Sequence, residues 1–227
     1  MRPSRPAPAR ARGLDAVVGV VVVGGVLAGA SCGAASVGED DACEPWAVEV
    51  VAFAPGDGAG FGRDGLPDVV LGPPDGGKTT QGALDVVSLG VGGVITLRLG
   101  CPAVDADGPD LFVYENAFVV DGTARSFADP AEVAVSADGE AWTPFPCAVP
   151  ASPVADDDGI DGCAGLAPVL ANADNDLAGR VEGGGDAFDL GSLGVGTASF
   201  VRITDRSTAG AAPHAGFDLD AVAVARR

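Results

Sequence analysis

From residue 46 onward, apolar residues fall in short, Val-rich runs broken by Gly, Pro and Asp. The runs at 47–53, 84–89, 94–99, 111–118, 132–136, 200–204 and 217–224 have the length of strands, and few stretches repeat apolar residues at helical spacing. In the run at 94–99, Ile95, Leu97 and Leu99 alternate with Val94, Thr96 and Arg98, which predicts a strand with one buried face. Two hairpins are predicted. One joins 84–89 to 94–99 through Gly90-Val91-Gly92-Gly93, and the other turns 132–136 through Ala137-Asp138-Gly139 toward Trp142. Residues 147–186, rich in Asp, Asn, Gly and Pro, read as a long ordered excursion held by a disulfide or a metal. With 35 Gly and 17 Pro, the chain is interrupted too often for long helices, so the pattern predicts an all-β sandwich or barrel from residue 46 to 227.

The first thirty residues break this pattern. Arg2, Arg5, Arg10 and Arg12 precede an uncharged run, 16–30, of Val, Ala and Gly, and small residues lead to Ser31 and Cys32. This is the layout of a secretory signal, and the run is short of the roughly 20 residues of a spanning helix. Leu27-Ala28-Gly29-Ala30-Ser31-Cys32 resembles a lipobox that makes Cys32 the acylated first residue, with Gly29 where Leu is usual. Ala28-Gly29-Ala30 equally offers an ordinary secretory cleavage site. Residues 1–31 are thus read as the signal and 32–45 as a tether. Lipid on Cys32 leaves Cys43, Cys101, Cys147 and Cys163, an even set suited to two disulfides in an oxidising compartment. Cys147 and Cys163 flank one polar loop and are the favoured local pair, which leaves Cys43 with Cys101, although four cysteines allow three pairings.

Charge narrows the partners. Of 13 basic and 32 acidic residues, the signal removes four Arg and Asp15, so 9 and 31 remain and the formal charge moves from −19 to −22. Nucleic-acid binding is not expected, because phosphate contacts need Lys and Arg. Gly72-Pro73-Pro74-Asp75-Gly76-Gly77-Lys78-Thr79 fits the spacing of a phosphate-binding loop. It leads into a predicted strand rather than a helix, and its two prolines remove amide donors, so nucleotide is not expected either.

The acids suggest a cation instead. Asp218 and Asp220 share a strand face that Val222 and Val224 continue toward a core, where a buried carboxylate pair must be protonated or bridged. Calcium takes six to eight oxygen ligands of this kind. Glu115 and Asn116 sit inside the apolar run 111–118 with Asp110 just before it, and Asp186 and Asp189 form a third candidate set. The loop 156–162 is rich in oxygen but lacks EF-hand spacing and reads as a solvated turn, and the oxygen-rich loop 172–176 leaves the same choice between turn and cation. Enzymatic machinery is sparse: His214 is the sole His, and no G-x-S-x-G elbow occurs. The chain is read as no enzyme. The alternative is a polysaccharide hydrolase using two of Glu115, Asp186, Asp189, Asp218 and Asp220 as acid and base.

Five segments in order resemble a group of bacterial secreted or lipid-anchored cell-surface proteins with a galactose-binding-like β-sandwich. They are Val70-Leu71-Gly72-Pro73-Pro74, Asp85-Val86-Val87-Ser88-Leu89-Gly90, Phe112-Val113-Tyr114-Glu115-Asn116-Ala117-Phe118, Gly184-Gly185-Asp186-Ala187-Phe188-Asp189-Leu190 and Phe217-Asp218-Leu219-Asp220-Ala221-Val222. Ser136-Ala137-Asp138-Gly139-Glu140-Ala141-Trp142 further resembles a hairpin of discoidin-like domains. The resemblance implies a jelly-roll sandwich that often holds structural calcium and often binds glycans. The expected protein is a non-catalytic module at the cell surface, tied to the membrane only through its lipid, binding glycan or another envelope component.

Overall fold

A computed structural model of the chain describes residues 43–76, 79–120, 126–150 and 159–226. The signal segment, Cys32, Gly77, Lys78 and the acidic residues 156–158 lie outside the described residues. The described part belongs to one compact unit, Ala42–Arg227.

Eleven strands occur among the described residues: β1 Ala47–Ala54, β2 Val87–Ser88, β3 Val94–Val104, β4 Leu111–Glu115, β5 Phe118–Val119, β6 Ser126–Phe127, β7 Ala131–Ser136, β8 Thr143–Pro144, β9 Asp186–Phe188, β10 Thr197–Asp205 and β11 Asp218–Val224. They pair antiparallel into a five-stranded sheet, β1-β3-β10-β7-β8, and a four-stranded sheet, β2-β11-β4-β9, with β5 and β6 as a separate ribbon. The chain is therefore all-β, as its pattern predicts. Ile95, Leu97, Val133, Val201 and Ile203 from one sheet and Leu111, Val113, Leu219, Val222 and Val224 from the other share a single core. Alternation explains this membership, since every second residue of β3, β4 and β10 turns inward.

Several elements depart from the predicted pattern. The run 84–89 shrinks to β2, with Leu84 80 % exposed, and β2 pairs with β11 rather than β3. The expected hairpin at 90–93 is a crossover between sheets. Leu89 N–H donates to Phe217 O and Gly90 N–H to Ala215 O, committing β2 to the four-stranded sheet. Gly90 takes φ 80°, and a Cβ there would lie 2.5 Å from Gly56 O, so only glycine makes this passage. The run 111–118 ends as β4 at Glu115 and resumes as β5. The Asp-Gly hairpin is present as β7–β8, with Asp138 Oδ1 accepting from Glu140 and Ala141 amides.

The part of the excursion at 169–178 covers the outer face of the four-stranded sheet. Val169, Ala171 and Ala178 pack on Phe112, Tyr114, Ala221 and Ala223, and Gly179 N–H donates to the Tyr114 hydroxyl at 2.7 Å. β4 is thus buried on both faces, which is why five consecutive residues of it are buried. Disulfides join Cys43 to Cys101 and Cys147 to Cys163. They suggest an oxidising, extracellular environment. Residues 43–45, the end of the predicted tether, are part of the domain: besides the disulfide, Glu44 O accepts from Cys101 N–H and Pro45 O from Val224 N–H. Among the described residues, no helix is long and apolar enough to cross a membrane.

The bridges close sequence separations of 58 and 16 residues. Loop-closure entropy assigns them about 4 and about 3 kcal/mol. Replacing the Cys43–Cys101 pair by Ala should therefore lower stability in urea denaturation more than replacing Cys147–Cys163. The reverse order would mean that native contacts, rather than loop closure, set their contributions.

Candidate metal centre

The candidate acids separate into three places. Asp110 precedes β4 and Glu115 ends it, so the two lie roughly 16 Å apart along the strand and share no site. Asp110 instead meets Asp189 and Asp105, whose carboxylate oxygens fall within 4.8 Å of one another. Backbone amides engage this group: Asp110 accepts from Ala106 N–H at 3.2 Å and Leu190 N–H at 2.9 Å, and Asp189 from Gly191 N–H at 2.8 Å. These carboxylates cap turns around the 3₁₀ segment Leu190–Leu193.

Asp220 occupies a second place. Both its oxygens accept from Asp75 N–H, at 3.1 and 2.9 Å. The predicted face shared by Asp218, Asp220, Val222 and Val224 is corrected by a register shift between Leu219 and Ala221. Leu219 and Val222 both enter the main core, whereas Ala221 joins the outer cluster. This bulge reverses the alternation, so the two aspartates do not lead into the core along the face of the valines.

The third place brings Glu115, Asn116 and Asp218 together. On β4, Leu111 and Val113 face the core, and Glu115 follows them in the same phase, at 2 % exposure. Its Oε1 accepts from Asp218 N–H at 3.4 Å, while Oε2 is buried without a hydrogen-bond partner. Asp218, 8 % exposed, accepts from the Ser88 hydroxyl and from Asn116 Nδ2 at 3.5 Å. Asn116 Oδ1 is also buried and unpartnered. Antiparallel pairing sets this arrangement, because β4 ends where β11 begins and Ser88 lies opposite Asp218.

Two acids that the sequence pattern does not single out complete the surroundings. Asp129 lies just before β7, beside Ser207, whose buried hydroxyl makes no hydrogen bond of acceptable geometry. Asp205, at the end of β10, accepts from the amides of Phe217, Gly92 and Ser207 and ties the surrounding loops to one another. Neither residue carries a motif: Asp129 falls between Ala128 and Pro130 in a connecting segment, and only the approach of β7 to β11 makes it a neighbour. Asp186 sits on β9 opposite Val113, near enough for its charge to act on Glu115.

Electrostatics follow from this crowding. Burial, then the charges of Asp129 and Asp218, push the Glu115 carboxyl well above the usual range. Burial and the charges of Asp218 and Asp205 raise Asp129 to about 7. Burial raises Asp218 as well, opposed by its hydrogen bonds from Ser88 and Asn116 and by the charge of His214. The exposed His214 packs on Phe61 with ring centroids 4.6 Å apart. The ion pairs among the described residues, Arg98–Glu49, Arg180–Asp176, Arg206–Glu132 and Arg226–Asp176, all lie elsewhere. Glu115, Asn116 and Asp218 thus meet with orphaned oxygens beside Asp129, chemistry that suits a hard cation such as calcium, whereas the described acids whose oxygens already lie within 4.8 Å of one another are Asp105, Asp110 and Asp189.

The oxygen-rich loop 172–176 satisfies itself. Asn175 Oδ1 accepts from Asn172 and Leu177 amides, and Asn172 Oδ1 from Asp174 N–H. No protein-family model matches the chain, and it has no significant match among curated proteins.

In the absence of a cation, the folded protein holds protons on Glu115, Asp129 and Asp218 that the unfolded chain releases. Their contribution to stability is full below the ordinary carboxylate range of about 4 and declines as pH rises through that range, for Asp129 up to its raised value of about 7. In chelator, the melting temperature should fall between about pH 4.5 and about pH 7.5, and Glu115→Gln should flatten that decline. An equally steep decline in Glu115→Gln would place the responsible groups elsewhere.

Proposed function

We propose that the chain is an exported, non-catalytic module of the cell envelope, anchored by lipid on Cys32 and stabilised by calcium bound at Glu115, Asn116, Asp129 and Asp218. The observation that carries the cation is Glu115 Oε2, buried and without a partner beside two further raised carboxylates. A divalent cation supplies the positive charge that no Lys or Arg among the described residues brings to these groups. The basic n-region and uncharged run before Cys32 support export, and the disulfides agree with it. The ordered likeness to galactose-binding-like surface proteins supports a jelly-roll type of sandwich and a glycan or envelope component as its partner.

A polysaccharide hydrolase needs two carboxyl groups facing each other across a space open to the substrate. Glu115 at 2 % exposure, in contact with Asp218 N–H, weighs against that arrangement. The acids of the Asp110 group, engaged by amides, weigh against it too.

Calorimetric melting with calcium and with EGTA tests the reading. Calcium at a hundredfold its Kd adds about 2.7 kcal/mol. For a domain of this size, that corresponds to a rise of about 5–10 °C. EGTA should remove the rise, and the double variant Glu115→Gln, Asp218→Asn should lack it. An unchanged melting temperature, or a wild-type response from the double variant, would sink the calcium site.

A further inference from the structure

A second site lies at the open side of the sandwich, where the edge strands β8 and β9 of the two sheets come together. A cavity of about 470 Å³ opens there, lined by Phe145, Leu166, Asp186, Ala187, Phe188 and Asp189 among others. Its volume falls within the roughly 300–1,000 Å³ of small-molecule sites. The walls are mostly apolar: the Phe145 and Phe188 rings meet at 4.9 Å, and the Cys147–Cys163 disulfide stiffens the rim through Cys163. Among the described residues, the charged groups in the lining are the two aspartates, with no Lys, Arg or His.

Asp186 is held in place. Its Oδ2 accepts from Gly165 N–H at 2.7 Å and Leu166 N–H at 3.1 Å, and Ala167 N–H adds a third bond to the carboxylate, so it is oriented before any ligand arrives. Asp189 Oδ1 is likewise fixed by Gly191 N–H, and the Ser192 hydroxyl is spent on Asp189 O. A neutral sugar finds few groups here to match its ring of hydroxyls.

We propose that this cavity binds a small organic cation, a primary ammonium or guanidinium group on an apolar body about the size of one aromatic ring. The charged head pairs with Asp186, with Asp189 at the rim, and the body lies against Phe145, Phe188 and Leu166. Aromatic faces add attraction for the cation beyond the area they bury. This proposal does not rest on the calcium reading, because none of the residues assigned to calcium lines the cavity.

Titration calorimetry with three probes of one skeleton tests it: phenethylamine, 2-phenylethanol and 3-phenylpropionate, each with and without saturating calcium. Phenethylamine should bind saturably in both conditions, the alcohol at least tenfold more weakly, and the carboxylate not at all. Asp186→Asn should weaken the amine at least tenfold and leave the alcohol unchanged. Asp189→Asn, at an exposed position where Asn can still accept from Gly191, should weaken the amine by a smaller factor. Equal binding of amine and alcohol, no saturable binding, displacement of the amine by calcium, or wild-type affinity in both variants would each overturn the site. If Asp186→Asn does not fold, Asp189→Asn and the probe series decide.

Discussion

The phase of one strand constrains this molecule more than any other feature. In β4, Leu111 and Val113 face the main core, and the two-residue period delivers Glu115 to the same side. A slip of one residue would release Glu115 but turn the apolar residues of β4 to the wrong face. Phe112 and Tyr114 close that escape, because they are packed under the 169–178 segment on the other side. The carboxylate is therefore committed to the interior by its neighbours. Antiparallel pairing then delivers Asp218 beside it, and the approach of β7 adds Asp129. Like charges brought together in this way need protons or a cation, and the stability of that end of the sandwich depends on which is supplied.

The other carboxylates of this acidic chain have a different task. Asp110, Asp138, Asp189, Asp205 and Asp220 all accept backbone amides, often two or three each. Strands here are short and linked by Gly- and Pro-rich loops, whose amides lack sheet partners. Aspartate side chains take the place of the missing ladder. Against that background, the orphaned oxygen of Glu115 differs in kind from the rest: it is buried, as Asp110, Asp205 and Asp220 are, but has no hydrogen-bond partner. Asp186 lies between the two groups, held by loop amides and lining a cavity.

How much could be read in advance depended on whether the information was local. The β3, β7, β10 and β11 runs were visible because alternation and β-branched residues mark each within its own span. The Asp138-Gly139 turn was visible for the same reason. Short edge strand β9 was not, since three residues carry no period. Val222 and Val224 made Asp218 and Asp220 look like one inward face, because a bulge at Asp220 leaves no trace in the apolar pattern. Glu115, Asn116 and Asp218 were identifiable as polar residues inside apolar runs. Asp129 and Asp205 were not, because their role exists only once β7, β10 and β11 are assembled. Asp110 was grouped with Glu115 by closeness in sequence, although a strand carries its two ends apart.

The central claim is that a calcium ion answers the buried charge of Glu115. Long-wavelength diffraction from crystals grown in calcium locates the ion directly by its anomalous signal. The account predicts a peak about 2.3–2.6 Å from Glu115 Oε2, with Asp218, Asp129 and the Asn116 amide oxygen in its shell. A peak among Asp105, Asp110 and Asp189, or none at Glu115 in saturating calcium, would contradict it.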